Sequence, residues 1–178
     1  HSGDIVSHNS GLYHALNRKV TDNTTQTVRN EGDPASTIAQ VNEAYDNSGT
    51  TYNFYKDFCN GRDSYNNAGA QIKSTVRASG TYSTGTESFF EDGYQVEDVM
   101  AHEFTHAVTS SESQVGTAPY YKGEPGAINE SFSDIFGEWI DQVGPKGDDS
   151  ADDKWLLGED IQTANPKMRS MKNPPDYS

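Results

Sequence analysis

Residues 94–108 carry the feature that most restricts how this chain can fold. Their apolar side chains recur at the three- and four-residue spacing of a helix that buries one face. A His-Glu-x-x-His pattern, residues 102–106, lies inside this segment. Four residues make slightly more than one helical turn, so both imidazoles project from the same face and can bind one ion. The apolar positions are Val96, Val99, Met100, Phe104, Ala107 and Val108.

The ion predicted for this helix is zinc, because zinc suits imidazole nitrogen and catalytic zinc sites keep one position open. Glu103 follows His102 directly and is therefore tilted away from the two imidazoles. From there it can accept a proton from a water molecule without binding the metal itself. The alternative is that His102 and His106 are surface histidines beside a solvated glutamate.

A catalytic zinc ion needs a third protein ligand, and the next predicted helix supplies the best candidate. The other three histidines and the single cysteine lie far upstream of the motif. Glu130 and Asp134 are four residues apart, so both point the same way from one helix. Glu130 is the predicted ligand, and Asp134 the predicted acceptor for the second N–H group of a ligand histidine. In the alternative, both are exposed acids on an ordinary helix.

Charge and composition argue against several classes of protein. The formal net charge is −14, and so acidic a surface would repel the phosphate backbone of a nucleic acid. No six consecutive residues are all apolar, so no membrane-spanning segment is expected. Cys59 is the single cysteine, which permits no internal disulfide, and its helical spacing predicts burial. The chain begins at His1 without a signal-peptide pattern, as a mature, processed or excised chain would.

The remaining local patterns predict a loop-rich mixture of strands and helices. Asp33-Pro34 predicts the start of a helix that runs to Cys59, because an N-cap oxygen precedes a proline at the first helical position. Gly49 is expected to bend that helix or to split it in two. The predicted strands cover residues 71–76 and 87–90.

A third helix is predicted to begin at Pro125 and to end before Gly144-Pro145. Apolar side chains cover much of its surface, so it should be well buried. These side chains are Ile128, Phe132, Ile135, Phe136, Trp139, Ile140 and Val143.

Two blocks of this sequence resemble the thermolysin family of zinc endopeptidases. They are Asp98-Val-Met-Ala-His-Glu-Phe-Thr-His-Ala-Val-Thr109 and Gly126-Ala-Ile-Asn-Glu-Ser-Phe-Ser-Asp-Ile-Phe-Gly137. The resemblance implies an α+β fold in which an N-terminal β-rich lobe, residues 1–124, carries a long helix and the His-Glu-x-x-His helix. Residues 125–178 would begin a mostly helical lobe, incomplete in this chain, that carries the third zinc ligand.

The resemblance implies a role for each candidate site residue. Tyr121 would donate a hydrogen bond to the tetrahedral intermediate; otherwise it is a loop tyrosine packing on Tyr120. Arg169, within residues 168–171, would bind a substrate carbonyl and organise the main specificity pocket. The zinc ligands would be His102, His106 and Glu130, with Glu103 as general base and Asp134 as the partner of a ligand histidine.

The resemblance also implies one or more structural calcium ions beside the zinc helices. Calcium takes about six to eight oxygen ligands, so clustered carboxylates are what it needs. Lys154 stands where the family usually has an acid, which favours one calcium over two. The alternative is a solvated acidic loop. The matching carboxylates are Asp98, Glu138, Asp141 and Glu159.

Two departures from the family pattern affect the substrate cleft. The family's Asn-Ala-Phe-Trp edge strand is absent after residues 74–76, so substrate backbone would have to pair with Ser83, Thr84 or Gly85. No histidine follows His106, although family members carry one in their helical domain to stabilise the oxyanion. One wall of the usual cleft is therefore not expected within these 178 residues.

These features together predict a secreted, extracellular endopeptidase with one catalytic zinc ion and a preference for an apolar residue after the scissile bond. Its partners would be peptide or protein substrates and a missing C-terminal fragment or domain, but neither nucleic acid nor membrane. One alternative is a catalytically impaired or truncated metal-binding domain of a metallopeptidase. A second alternative is a secreted acidic calcium protein without zinc.

Overall fold

The computed structural model describes residues 15–113, 122–145, 150–161 and 169–173. Within these ranges a mixed sheet packs against two helices, and a third helix packs on the second. The sheet contains β1 Arg18–Asp22, β2 Val28–Asn30, β3 Ile72–Val76, β4 Tyr82–Ser83 and β5 Ser88–Phe90. The helices are α1 Ala39–Phe58, α2 Glu97–Glu112 and α3 Glu124–Val143, and a small separate sheet pairs β6 Leu156–Leu157 with β7 Arg169–Ser170.

The main sheet has the strand order β2-β1-β3-β5-β4. β1, β3 and β5 run parallel, whereas the outer strands β2 and β4 are antiparallel to their neighbours. The strands predicted over residues 71–76 and 87–90 correspond to β3 and β5. β4 was not predicted, and it forms one edge of the sheet.

Two clusters of buried side chains hold these layers together. The first, which includes Val76 and Met100, joins the sheet to α1 and the first turns of α2. The second, which includes Tyr55 and Phe104, lies among the three helices. Cys59 is half-buried at its border, which falls short of the predicted burial. None of the helices in the described part of the chain has the length and apolarity that a bilayer crossing requires.

The first helix begins at Ala39, so the prediction that Asp33-Pro34 starts it is wrong. The Asp33 carboxylate instead accepts the backbone N–H of Asn30 at 2.7 Å and closes a local turn. Ile38 precedes the helix without a side-chain cap. The side chain of Asp33 could cap a helix, but it closes the turn after β2 instead.

Gly49 neither bends nor splits α1, which is continuous through this position. A Cβ atom here would lie 2.5 Å from Nη1 of Arg18, so the missing side chain leaves room for a guanidinium. That Nη1 donates a hydrogen bond to the carbonyl of Tyr45 at 2.8 Å. The guanidinium carbon also lies 3.6 Å from the centre of the Tyr45 ring. Gly49 thus allows β1 and α1 to be joined by one cation.

The third helix has the predicted limits, but the prediction that it is well buried is wrong for one face. On that face five large apolar side chains are 44–56% exposed. They are Ile128, Phe132, Ile135, Trp139 and Val143, which we call the outer face of α3.

The inner face of α3 packs on α2 and is built from small and acidic residues. Its buried side chains include Ser133, Asp134 and Glu138. A Cβ atom at Gly137 would lie 2.8 Å from the backbone oxygen of Asp98, so this glycine permits the close approach of the two helices. Apolar periodicity alone does not reveal that the more polar face is the buried one.

Candidate metal centre

His102 and His106 face Glu130 across the contact between α2 and α3. The two Nε2 atoms lie 2.9 Å apart, and the rings are perpendicular. The carboxylate oxygens of Glu130 lie 3.4 Å from Nε2 of His102 and 3.5 Å from Nε2 of His106. The three ligand atoms all lie within 4.8 Å of one another. The structure thus brings together the three residues that the sequence suggested as zinc ligands.

The outward-facing nitrogen of each imidazole has a partner on α3. Nδ1 of His102 lies 2.9 Å from Oδ1 of Asp134. Nδ1 of His106 lies 2.7 Å from Oδ1 of Asn129 and 3.0 Å from Oγ of Ser133. Protons held at both Nδ1 atoms leave both Nε2 lone pairs directed at the same point.

Asn129 and Ser133 were not among the residues selected from the sequence. A signal for them was present, because the second histidine needs an Nδ1 partner as much as the first does. The two residues are four apart on α3, so they point the same way from that helix. Their selection required knowing which face of α3 packs on α2.

The donor set fits a catalytic zinc ion. Two imidazole nitrogens and one carboxylate oxygen leave a fourth tetrahedral position open for water or substrate. Both histidines are buried, whereas the Glu130 side chain is 34% exposed, so solvent reaches the Glu130 side of the group.

The acids around His102 favour a positive charge at this place. Burial alone would lower its pKa, but the hydrogen bonds with Asp134 and Glu130 raise the pKa of His102 to about 9. Burial, and then the charge of His102, lowers the pKa of His106. The site therefore favours one added positive charge and disfavours a second proton. A bound dication would take the place of the proton on His102.

Glu103 lies beside these ligands with 5% of its surface exposed. In the described part of the chain, its buried Oε2 has no hydrogen-bond partner. Burial raises the pKa of Glu103 to about 7, although the charge of His102 opposes the rise. A carboxyl group with a pKa near neutrality can both accept and release a proton at physiological pH.

Arg169, in β7, lies at the border of the same site. Its Nη2 is 2.8 Å from Oδ1 of Asp134 and 3.5 Å from Oε2 of Glu130. The side chain is 39% exposed, so part of the guanidinium remains accessible. Tyr121, the other residue expected to contact substrate, lies outside the described residues.

A second group of ligand-type side chains lies close by. Carboxylate oxygens of Asp98, Glu138 and Glu159 lie within 4.8 Å of one another. Asp98 accepts the backbone N–H groups of Val99, at 2.6 Å, and of Gly158. We call these three acids the acidic cluster.

Asp141, the fourth acid expected to bind calcium, is buried one turn farther along α3 than Glu138 but outside that 4.8 Å group of described residues. Asp98, Glu138 and Asp141 are at most 3% exposed, which argues against a solvated acidic loop. Burial raises the pKa of Asp98 to about 6. Burial, and then the charge of Asp98, raises the pKa of Glu159 far above its usual range. Buried carboxylates that repel one another are stabilised by a cation, and their hard oxygens suit calcium.

The sequence matches the models of two families. Residues 5–110 match the model described as thermolysin metallopeptidase, catalytic domain. Residues 119–178 match the model described as thermolysin metallopeptidase, alpha-helical domain. The chain therefore belongs to the thermolysin family of metallopeptidases, which confirms the resemblance carried by residues 98–109 and 126–137.

Individual relatives agree with this assignment. Bacillolysin of Bacillus cereus is 35% identical over 180 residues, which cover 93% of this chain and 30% of the relative. Neutral protease NprE of Bacillus pumilus is 36% identical over 149 residues, which cover 76% of this chain and 44% of the relative. The chain thus spans less than half of the length of these curated relatives.

A solved structure supports the fold. The precursor of protealysin, a metalloproteinase from Serratia proteamaculans, matches with a TM-score of 0.74 and 30% identity. The match covers 90% of this chain and 54% of that chain. The thermolysin-like α+β fold is therefore confirmed.

Proposed function

We propose that this chain is the zinc-binding part of a secreted endopeptidase, with His102, His106 and Glu130 holding one zinc ion. The observation that carries the proposal is the convergence of these three side chains, each histidine with an Nδ1 partner, beside the buried Glu103. Membership of a metallopeptidase family supports the same reaction class.

In this proposal a bound zinc ion supplies Lewis acidity that activates water and the scissile carbonyl. Glu103 accepts the proton of the attacking water and passes it to the amine nitrogen as the C–N bond breaks. Asp134 holds Nδ1 of His102, which fixes the direction of Nε2. The resemblance supports Tyr121 as a hydrogen-bond donor to the developing oxyanion and Arg169 as the ligand of a substrate carbonyl.

The peptide substrate is proposed to pair with β4, which is an edge strand in contact with α2. Of the three candidates named above, Ser83 is favoured because it lies in β4. The backbone N–H of Thr84 already donates to the carbonyl of Glu87 at 2.9 Å. Gly85 lies in the following turn with a φ of +83°. Strand addition there would position the scissile bond, and an apolar pocket would select the residue after it.

A structural role is proposed for the acidic cluster together with Asp141. These four acids would hold calcium between α2, α3 and the segment that carries Glu159. The burial of Asp98, Glu138 and Asp141 and the raised pKa values of Asp98 and Glu159 support a bound cation.

The endopeptidase proposal is tested on casein and on a quenched fluorescent peptide library. We expect cleavage by the zinc-loaded 178-residue chain, inhibition by 1,10-phenanthroline, and loss of cleavage in Glu103→Ala. Glu112→Ala is the matched control, because Glu112 lies on the same helix with a side chain that is 60% exposed. Cleavage by Glu103→Ala at the parent rate would contradict the proposal.

A second candidate function is a metal-binding domain that does not cleave peptides by itself. It is favoured by the short span of this chain relative to its relatives, of which it covers 30% and 44%. Tight zinc binding without cleavage would support it. Sustained cleavage by the pure chain that stops on chelation would rule it out.

A further inference from the structure

Tyr55, in the last turn of α1, contacts both helices that carry the proposed zinc ligands. Its ring stacks on that of Phe136 in α3, with the ring centres 5.5 Å apart and the planes inclined by 14°. The ring of Phe104 in α2 lies 5.4 Å away on centre. Phe104 lies between the two ligand histidines in the sequence, and Phe136 follows Asp134 by two residues. One buried side chain of α1 therefore reaches α2 and α3 next to the metal centre.

The hydroxyl of Tyr55 makes a specific connection to α2. It lies 2.7 Å from Oγ1 of Thr105, which is inside the His-Glu-x-x-His pattern. Oγ1 of Thr105 donates in turn to the backbone carbonyl of Ala101 at 2.7 Å. Because a threonine hydroxyl carries one proton, Tyr55 is the donor in the first bond. Burial raises the pKa of Tyr55 far above its usual range, so its hydroxyl keeps that proton.

These two hydrogen bonds in series determine direction more than they fill space. A phenylalanine and a valine would occupy nearly the same volume, and burying two hydroxyls costs free energy that their bonds largely offset. A hydrogen bond restricts the distance and the angle of its partners, whereas an apolar contact is not directional. The bond to Thr105 therefore fixes how α2 is rotated about its own axis. The same rotation sets the direction of both imidazoles.

Tyr52, three residues earlier on α1, offers a comparison within the chain. Tyr52 and Tyr55 are both 3% exposed. The hydroxyl of Tyr52 donates to Oδ1 of Asp63 at 3.0 Å. Asp63 lies between α1 and β3, and not on a helix that carries a zinc ligand. The two tyrosines therefore share burial and bond type and differ in the element that they hold.

We infer that Tyr55 is a positioning residue for the zinc ligands and acts through the hydroxyl of Thr105. The inference rests on the proposed function, because it takes His102, His106 and Glu130 as the ligands of one zinc ion. Metal ligands must be held within about 0.5 Å of their binding geometry. Each Nε2 lies at the outer end of its side chain, so a small rotation of α2 moves it farther than it moves the backbone.

Tyr55→Phe tests the inference, because it keeps the ring beside Phe136 and removes the hydroxyl. We expect zinc affinity, measured by competition with a chromophoric chelator, to fall about 3–10-fold. This is less than the loss of about 10–100-fold that is typical when a ligand histidine loses its direct partner. The visible absorption spectrum of the cobalt-loaded chain, which reports ligand geometry, should change as well.

Tyr52→Phe is the matched control. It should leave zinc affinity and the cobalt spectrum at the parent values. Each of Tyr52→Phe and Tyr55→Phe removes one buried hydrogen bond, so both should lower the Tm of the metal-free chain by about 2–4 °C. Equal losses of stability with unequal zinc affinities would separate positioning from a general weakening of α1.

Thr105→Val removes the same hydrogen bond from the other side, so its effect on zinc affinity should match that of Tyr55→Phe. The double variant should bind zinc no more weakly than either single variant, because both break one shared bond. Its Tm should rise again toward the parent value, since neither hydroxyl remains buried without its partner. Zinc affinity should stay low although stability returns.

Three results would overturn the inference. The first is equal zinc affinity in the parent and in Tyr55→Phe, and the second is an equal loss in Tyr52→Phe. The third is a double variant whose zinc affinity recovers together with its Tm, because an unpaired hydroxyl would then be the cause. A parent chain that binds no zinc would overturn the proposed function and this inference together, so the two failures are distinguishable.

Discussion

The proposed zinc ligands lie on the same two helices as Asp98 and Glu138 of the acidic cluster, one turn apart, and the two groups differ mainly in residue type. On α2 the residues Asp98, His102 and His106 follow at intervals of four, and on α3 Glu130, Asp134 and Glu138 do the same. Two facing rows therefore produce two sites. In the first group imidazoles face carboxylates, hydrogen bonds compensate their charges, and the ligand types suit zinc. In the second group buried carboxylates face and repel one another, and their oxygens suit calcium.

The largest expected effect is on kcat/KM, and it distinguishes the role proposed for Glu103 from that proposed for the acidic cluster. We expect Glu103→Gln to lower kcat/KM by roughly 10²–10⁴-fold, because the amide cannot accept the proton of the attacking water. Zinc stoichiometry, measured by elemental analysis, should stay at the parent value. Glu138→Gln in saturating calcium is the comparison, and it should leave kcat/KM close to the parent value. An equal loss in the two variants would mean that the acidic cluster takes part in the reaction.

Calcium removal should affect stability rather than chemistry. With free calcium about 100-fold above its Kd, binding stabilises the fold by about 2.7 kcal/mol. For a chain of this size the loss lowers Tm by roughly 5–10 °C. The measurement is thermal unfolding with and without EGTA, repeated on Asp98→Asn. If Asp98→Asn keeps the full calcium response, the acidic cluster is not the binding site.

Loss of the partner of His106 should weaken zinc binding selectively. We expect Asn129→Ala to lower zinc affinity by about 10–100-fold, because Nδ1 loses the nearer of its two acceptors. Competition with a fluorescent chelator measures the change. Ser131→Ala, at an exposed position of the same helix, is the control. A stronger effect on calcium than on zinc would contradict the separation of the two sites.

One substitution should weaken both sites together. Gly137→Ala places a Cβ atom 2.8 Å from the backbone oxygen of Asp98 and must move the helices apart. Overpacking of this kind costs about 1–3 kcal/mol, measured as the free energy of unfolding in urea. Gly80→Ala is the control, since the nearest atom to its Cβ would be 3.6 Å away, in Tyr82. Lower affinity for only one of the two metals would show that the sites do not share the helix spacing.

The last expected effect is a pH dependence of zinc binding. The pKa of His102 is about 9 in the metal-free chain, so below that pH zinc must displace a proton from it. The apparent affinity should therefore rise about tenfold per pH unit between about pH 6 and pH 8. Asp134→Asn removes a negative charge that helps to raise this pKa, so its slope should flatten toward pH 8. Equal slopes in the parent and the variant would exclude His102 as the source of the released proton.

Much of the zinc site was accessible from the sequence, because the spacing of His102, His106, Glu130 and Asp134 is a local property of two helices. The need for a partner of His106 could be read from the sequence as well, but Asn129 and Ser133 could not be selected for that role, because the choice depends on which face of α3 meets α2. The buried face of α3 was predicted wrongly because its apolar side chains were expected to be buried. The absence of a side chain at Gly137 instead determines where α2 and α3 approach closely. The start of α1 was missed because the side chain of Asp33 closes a turn instead of capping a helix. Each of these errors has the same cause. The outcome depends on how neighbouring elements pack or share a side chain, and a pattern within one segment carries no information about its neighbours.

The space beside Gly49 has a consequence for how this family can vary. The guanidinium of Arg18 occupies the volume that any larger residue at position 49 would need. The two positions should therefore change together during evolution. A homologue with alanine at position 49 should carry a shorter or neutral residue at position 18, and a homologue that keeps the arginine should keep the glycine. An alignment in which the two positions vary independently would show that the Arg18 side chain or α1 can shift to make room.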